Sequence, residues 1–155
     1  MSDEGPTELA RRLRAASATG ELVDVSDRPE TWVPAQLLVD LLIRPLGPGE
    51  IRRAVRLAGA GISGPLDLEY ATLLCPLSLH RCEVPSAITL VGANAPAVRV
   101  TSCALNSLDV TQLRTRGDFS LAGSAATGEV RLLGAHIGGQ LTSGARRSAV
   151  TPGTR

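Results

Sequence analysis

The stretch that decides the fold runs from residue 98 to residue 118 and reads VRVTSCALNSLDVTQLRTRGD. Apolar residues alternate with polar ones at Val98 and Val100, and again at Leu108 and Val110. This period of two points successive side chains to opposite faces of a β-strand. Each alternation stops after three residues and resumes after a short interval. The stretch therefore predicts very short strands joined by corners.

The same pattern fills residues 55–140, which divide without gaps into eight segments of 10 or 11 residues. The segments read VRLAGAGISGP, LDLEYATLLCP, LSLHRCEVPSA, ITLVGANAPA, VRVTSCALNS, LDVTQLRTRGD, FSLAGSAATGE and VRLLGAHIGGQ. At segment positions 1, 3, 6 and 8, 30 of the 32 residues are apolar or cysteine, the exceptions being Thr115 and Ser124. At positions 2, 4, 5 and 7 only 7 of 32 are apolar. This contrast assigns the first set to the interior and the second to the surface.

Two consecutive segments are expected to close one four-sided turn of 20 to 22 residues, so eight segments give about four turns. Gly, Pro, Ser and Asn at the segment ends supply a corner. The predicted fold class is therefore mainly β: a short right-handed parallel β-helix with an N-terminal helical cap. Its narrow interior explains why only Trp32, Tyr70 and Phe119 are aromatic. Cys82 and Cys103, 21 residues apart in the same phase, are expected to stack as buried thiols rather than act as a redox pair.

The N-terminal region has the periodicity of helices. Leu9, Leu13 and Ala16 predict a helix over residues 7–18, which Gly20 ends. A second apolar stripe predicts a helix from about Pro34 to Ile43. A solenoid exposes apolar residues and strand edges at its ends. We therefore expect the second helix, with Trp32, to cap the first turn.

The predicted organisation has three parts: a helical segment or cap over residues 1–50, the β-helix repeats over 51–141, and a disordered tail over 142–155. The repeat fades after Leu141 into a polar sequence that contains arginine and serine. Two explanations are open from the sequence. Either the chain is a truncated or frameshifted reading of a longer protein, or another subunit covers the open end.

The repeat resembles that of the pentapeptide-repeat proteins, which form right-handed quadrilateral parallel β-helices. The resemblance is carried by Ala60-Gly61-Ile62, Leu66-Asp67-Leu68, Ala93-Asn94-Ala95 and Leu108-Asp109-Val110. The chain is also similar to actinobacterial proteins with L-x-L-x-G-A-x-I-x-G repeats behind a helical segment, most clearly at residues 55–65 and 130–140. Those proteins are often labelled oxidoreductase or membrane-associated oxidoreductase. A leucine-rich repeat is the competing solenoid, but an 11-residue unit is too short for it.

Residues 59–64 read GAGISG, which matches the G-x-G-x-x-G fingerprint of dinucleotide-binding proteins. That function needs a helix to begin within the motif. Here Pro65 and a predicted strand follow it instead, and Glu83 occupies an ordinary surface position of the repeat. The motif therefore predicts a corner rather than a phosphate site.

Other reactive residues are scattered. The alternation sends His80 and Cys82 of the cluster His80-Arg81-Cys82-Glu83 to opposite sides of the wall, and His136 stands alone at an outward position. Asp67 and Glu69 are expected on an exposed face without an apolar pocket. We accordingly predict no catalytic, cofactor-binding or metal-binding residues and no cofactor.

The charges are nearly balanced, with a net charge of +1 and six arginines against six acids in residues 55–140. This balance predicts neither a nucleic-acid footprint nor the acidic surface of a DNA mimic. No apolar stretch approaches the ~20 residues that span a bilayer. Three cysteines without metal-type spacing, behind a polar N-terminus, predict reduced thiols in the cytoplasm.

The sequence thus favours a non-catalytic β-helical module that binds a protein partner or acts as a scaffold, with a homodimer through the open C-terminal end as a further expectation. The resemblances imply two alternatives. One is the oxidoreductase activity with which the similar proteins are labelled, so enzymatic activity stays uncertain. The other is a topoisomerase-directed DNA mimic.

Overall fold

The structure is a computed structural model that describes residues 4–26, 31–44, 47–142 and 146–150. Its two helices are α1 (Glu4–Thr19) and α2 (Ala35–Ile43), which confirms both helices predicted from periodicity. Gly20, with a φ of +84°, ends α1, and its N–H donates to the carbonyl of Ala16 over 2.8 Å.

All of the strand pairings are parallel, and the strands stack in four faces around one column. Face 1 consists of β1 (Leu22–Asp24), β3 (Val55–Ala58), β6 (Leu77–His80), β10 (Val98–Thr101), β14 (Phe119–Ser120) and β17 (Leu141–Thr142). Face 2 consists of β2 (Trp32–Pro34), β4 (Gly61–Ser63), β7 (Glu83–Val84), β11 (Ala104–Leu105) and the first residues of β15 (Ala125–Arg131). Face 3 consists of β5 (Leu66–Asp67), β8 (Ile88–Thr89), β12 (Leu108–Asp109) and the last residues of β15. Face 4 consists of β9 (Asn94–Ala95), β13 (Arg114–Thr115) and β16 (His136–Ile137), and Thr72 extends it by a bridge to Asn94.

The strand register confirms the length of the predicted turn. Val55 pairs with Leu77, Leu77 with Val98, Val98 with Phe119, and Phe119 with Leu141, so one turn takes 21 or 22 residues. Of the 32 positions predicted to face inward, 29 are buried, and the other three, Ala71, Ala135 and Ile137, are half-buried. The molecule is therefore a parallel β-solenoid of about four turns, as predicted.

The corners after the first strand of each segment share one backbone conformation. The fifth residue of all eight segments has a φ between +53° and +77°, in the left-handed region. Four of these residues are glycines, at 59, 92, 123 and 134, and four are Tyr70, Arg81, Ser102 and Gln112. This conformation costs an L-residue with a side chain about 1–2 kcal/mol of conformational free energy. Half of the corners thus carry backbone strain, which the sequence pattern does not reveal.

The N-terminal cap contains more than the predicted helices. β1 and β2 add one more strand to faces 1 and 2, with Val23 paired to Leu57 and Val33 to Ile62. Helix α2 then packs against β5, and the Leu42 carbonyl accepts the N–H of Leu74 over 2.7 Å. A partial turn and a helix therefore cover the first complete turn together.

Trp32 lies elsewhere than expected. It stands at an outward position of β2 and is 43% exposed, whereas its neighbour Val33 is fully buried. A Cβ built at Gly61 would lie only 2.5 Å from the Trp32 ring. The indole therefore covers the outer surface of Gly61 rather than the end of the column, because strand alternation turns it away from the core.

A strand is present in the segment for which the sequence predicts a disordered tail. β18 (Arg146–Val150) pairs with β15, with Ala125 opposite Arg146 and Val130 opposite Val150. The remaining residues of the predicted tail, 143–145 and 151–155, lie outside the described residues.

Candidate interaction face

The G-x-G-x-x-G motif forms a corner and a strand. Gly59 and Gly64 both have a positive φ, the motif contains β4, and the chain continues into β5 after Pro65. No helix begins at this motif, so its N–H groups do not converge as they do in a dinucleotide-binding turn.

The His80-Arg81-Cys82-Glu83 cluster is divided by the wall of the solenoid. His80 lies on the outer side of face 1, where its Nδ1 hydrogen-bonds to Thr101 Oγ1 at 2.9 Å. Cys82 is buried inside. The two groups therefore do not share a site, as the alternation predicts.

Cys82 and Cys103 stack on adjacent turns, and both are buried free thiols. The Cys82 N–H donates to the Cys103 sulfur at 3.4 Å, and the Cys103 N–H donates to Ser124 Oγ at 3.0 Å. The Ser124 hydroxyl in turn donates to the Val100 carbonyl at 2.6 Å. The hydrogen bond with Cys82 and burial both raise the pKa of Cys103, so this thiol stays neutral. The column is a structural ladder that satisfies buried N–H groups at the corner.

The carboxylates and candidate metal ligands are dispersed. Asp67 and Glu69 are exposed on face 3, and the Glu69 N–H donates to Asp67 Oδ1 at 3.2 Å. Within the described ranges, no group of three or more His, Cys, Asp or Glu side chains is arranged to hold a metal ion. Nor is any helix in the described part of the chain long and apolar enough to cross a membrane.

Face 4 carries a column of polar and basic side chains on its outer surface. Thr72, Asn94, Arg114 and His136 occupy its outward column, and their strands pair in register, Asn94 beside Arg114 and Arg114 beside His136. Arg116 follows two residues after Arg114 on the same side, since Thr115 between them is buried. We call the surface formed by Asn94, Arg114, Arg116 and His136 the basic face.

Arg114 and Arg116 differ from the other arginines of the repeat. Arg81, Arg99 and Arg131 form ion pairs with acids at 3.1 to 4.0 Å, and Arg56 donates to the Gly20 carbonyl at 3.3 Å. These are four of the six arginines in residues 55–140. The guanidinium groups of Arg114 and Arg116 have no hydrogen-bond or ion-pair partner among the described residues. Their charge is therefore available to a ligand.

Two shallow grooves flank the Arg114 side chain. The face groove, of about 500 Å³, is lined by Thr72, Leu73, Asn94, Ala95, Pro96, Arg114, Thr115 and Arg116. The corner groove, of about 450 Å³, is lined by Tyr70, Gly92, Asn94, Gln112, Arg114, Gly134 and His136. Neither groove is lined by a carboxylate, so nothing in their walls neutralises the arginines.

The basic face does not follow from net charge, which is zero over the repeats. The signal was available in the register. Outward positions of alternate segments lie on the same face, so Arg114 and His136 become neighbours although 22 residues separate them. Sorting the outward residues by face would have brought Arg114 and His136 together on face 4 and separated them from Asp67, Glu69 and Asp109 on face 3.

Comparison of the chain with protein-family models, with curated proteins and with solved structures finds no match. The solenoid architecture is consistent with the resemblance to pentapeptide-repeat proteins.

Proposed function

We propose that this protein is a non-catalytic interaction module that binds an acidic surface of a protein partner through the basic face. The observation that carries the proposal is the pair Arg114 and Arg116, which have no ion-pair partner among the described residues. Arg114 begins β13, and Arg116 follows the strand directly. Arginine is enriched in protein interfaces, and its planar fork suits carboxylates.

The energetics of the solenoid favour such a role. The Cα atoms of the two arginines are two residues apart in the chain and therefore lie at most about 7 Å from each other. β13 is held on both sides by β9 and β16, and the Arg116 N–H donates to the Ala95 carbonyl at 3.3 Å, so the backbone of the basic face loses little freedom on binding. Complementary charge would accelerate the encounter with an acidic partner and reject a basic one.

Affinity capture tests the proposal with three forms of the chain. Wild type, the double variant Arg114→Glu with Arg116→Glu, and Arg131→Glu as a control on face 3 are immobilised and exposed to a lysate of the source organism. We expect one acidic protein to be retained by wild type and by the control, and lost with the double variant. Equal retention by all three forms, or retention by none, would contradict the proposal.

The two alternatives from the resemblances have different supports. Oxidoreductase activity stays a prediction from resemblance alone, and a flavin or nicotinamide signature in the absorbance of the purified protein would support it. A DNA mimic needs a continuous acidic surface, whereas face 4 presents uncompensated arginines. Protection of a gyrase in a supercoiling assay would nevertheless show that the mimic is correct.

A homodimer through the C-terminal end and a cytoplasmic location also remain proposals. Among the described residues β18 pairs with β15 along one side only, so a second chain could pair with the other side. Light scattering tests this, and a monomeric mass at high concentration would exclude the dimer. The three buried free thiols support a reducing compartment.

A further inference from the structure

We infer that the corner groove binds a ligand that carries both a phosphate monoester and a planar ring. The inference goes beyond the proposed function, since it assigns a small-ligand site that shares Asn94, Arg114 and His136 with the basic face. It rests on two features of the groove that occupy opposite ends: a column of polar side chains that suits an anion, and an exposed aromatic ring.

The anion end is formed by Asn94, Arg114 and His136. Their strands are paired in register, which places successive side chains about 4.8 Å apart on the same face. The Asn94 amide and the Arg114 guanidinium have no side-chain partner among the described residues, and each can donate to a phosphate oxygen. Arginine binds phosphate with paired N–H groups, which makes it the principal anchor here.

His136 has a defined orientation. Its Nδ1 lies 3.0 Å from the Gly134 carbonyl, and because a carbonyl only accepts, Nδ1 carries a proton. The Nε2 atom is therefore left for a ligand. When the ring is neutral, Nε2 accepts a hydrogen bond from the P–O–H group of a singly protonated phosphate. When the ring is charged, Nε2 donates a hydrogen bond to a phosphate oxygen.

The ring end is formed by Tyr70. This side chain is 72% exposed, although it occupies a left-handed corner with a φ of 58°, where glycine would avoid strain. The corners stacked with it on the same edge hold Gly92, Gln112 and Gly134, so the fold does not require an aromatic side chain there. The Tyr70 ring lies against Gly92, and this contact leaves the ring as a platform at one end of the groove.

The dimensions fit a ligand with both features. From the turn of Tyr70 to that of His136 the groove crosses three strand spacings, or about 14 Å. A nucleoside monophosphate fits within this length with its base on Tyr70 and its phosphate at Arg114. A phosphotyrosine side chain of a partner protein carries the same two groups, a phosphate monoester and a flat ring.

Isothermal titration of the full chain distinguishes these ligands. The probes are AMP, phosphotyrosine, phosphoserine and inorganic phosphate, titrated into wild type, Arg114→Gln, Tyr70→Gly and the control Arg131→Gln. We expect AMP or phosphotyrosine to bind wild type and the control more tightly than phosphoserine and phosphate do. Arg114→Gln should weaken binding of every probe at least tenfold, because it removes a charge-assisted pair of hydrogen bonds. Tyr70→Gly should weaken only the ring-bearing probes, by about tenfold.

The tighter of the two ring-bearing probes identifies the source of the phosphate. The inference is overturned if no probe binds at millimolar concentration, if Arg114→Gln leaves binding unchanged, or if Tyr70→Gly affects phosphoserine as much as AMP and phosphotyrosine. Arg116→Glu separates this inference from the proposed function. Arg116 lines the face groove but not the corner groove, so this variant should impair capture of the protein partner while the ring-bearing probes still bind.

Discussion

Replacing Gln112 by glycine should stabilise the protein, because Gln112 occupies a left-handed corner. Its φ is +59°, and the corner before it on the same edge of the solenoid, at residue 92, is already glycine. The left-handed conformation costs an L-residue with a side chain about 1–2 kcal/mol of strain. Glycine avoids this strain but loses more backbone entropy on folding, which costs about 0.5–1 kcal/mol. The difference predicts that the free energy of unfolding rises by about 0.5–1 kcal/mol.

The assay is thermal and urea unfolding of Gln112→Gly beside wild type. For a chain of this size the gain corresponds to a Tm increase of about 1–4 °C. The Gln112 side chain is exposed, and its backbone N–H bond to the Leu133 carbonyl, at 2.9 Å, is kept by glycine. The variant therefore loses little besides strain.

Ala104→Gly is the matched control. Ala104 is exposed in β11, in an extended strand where glycine gains nothing from its freedom. This control should lose about 0.5–1 kcal/mol. If Gln112→Gly is destabilised as much as Ala104→Gly, the reasoning about strained corners is refuted.

Three further predictions concern the core and one corner. Ser124→Ala removes the hydroxyl that donates to the Val100 carbonyl, so the free energy of unfolding in urea should fall by about 1–3 kcal/mol. Ser124→Cys should lose less, because the sulfurs of Cys103 and Cys82 make the equivalent contacts to backbone carbonyls in the two turns below. Gly59→Ala would place a Cβ 2.5 Å from the Ser26 Cα at a residue with a left-handed φ, so the free energy of unfolding should fall by about 2–5 kcal/mol. An unchanged Tm would show that the corner at Gly59 does not stack on the corner at Ser26. Burial raises the pKa of the Cys75 thiol to about 11, so its contribution to stability is complete below the unfolded thiol pKa of about 8.5 and is lost as pH rises to 11. Unfolding of wild type and Cys75→Ala across pH 8–11 checks the sign, and parallel pH curves would contradict it.

The repeat could be predicted from sequence because a single physical rule governs it. Every inward position must be apolar or satisfy its own hydrogen bonds, and Ser124 shows the second case, since it replaces a cysteine in the same ladder. The register, the turn length and the buried thiols all follow from that alternation. The two helices follow equally from their apolar stripes.

The remaining features depend on relations between turns, which local sequence does not display. β1 and β2 contain three residues each and lie outside the repeat, so no neighbouring copy of the pattern marks them, and pairing with β3 and β4 is what makes them strands. The corner conformation at Tyr70 is imposed by the closure of the turn and overrides the preference of that residue. The candidate site needs the register as well, because Asn94, Arg114 and His136 become neighbours only when the turns stack.

The most direct test of this stacking is disulfide formation across face 4. In the double variant Asn94→Cys with Arg114→Cys, the paired positions lie about 4.8 Å apart, within the range that a disulfide can bridge. In the control Asn94→Cys with Arg116→Cys, a shift of two residues places the positions about 8 Å apart, beyond that range. After mild oxidation, mass spectrometry should find an intramolecular disulfide in the first variant and free thiols at the introduced positions of the second. A disulfide in the control, or in neither variant, would contradict the register that builds both the solenoid and its basic face.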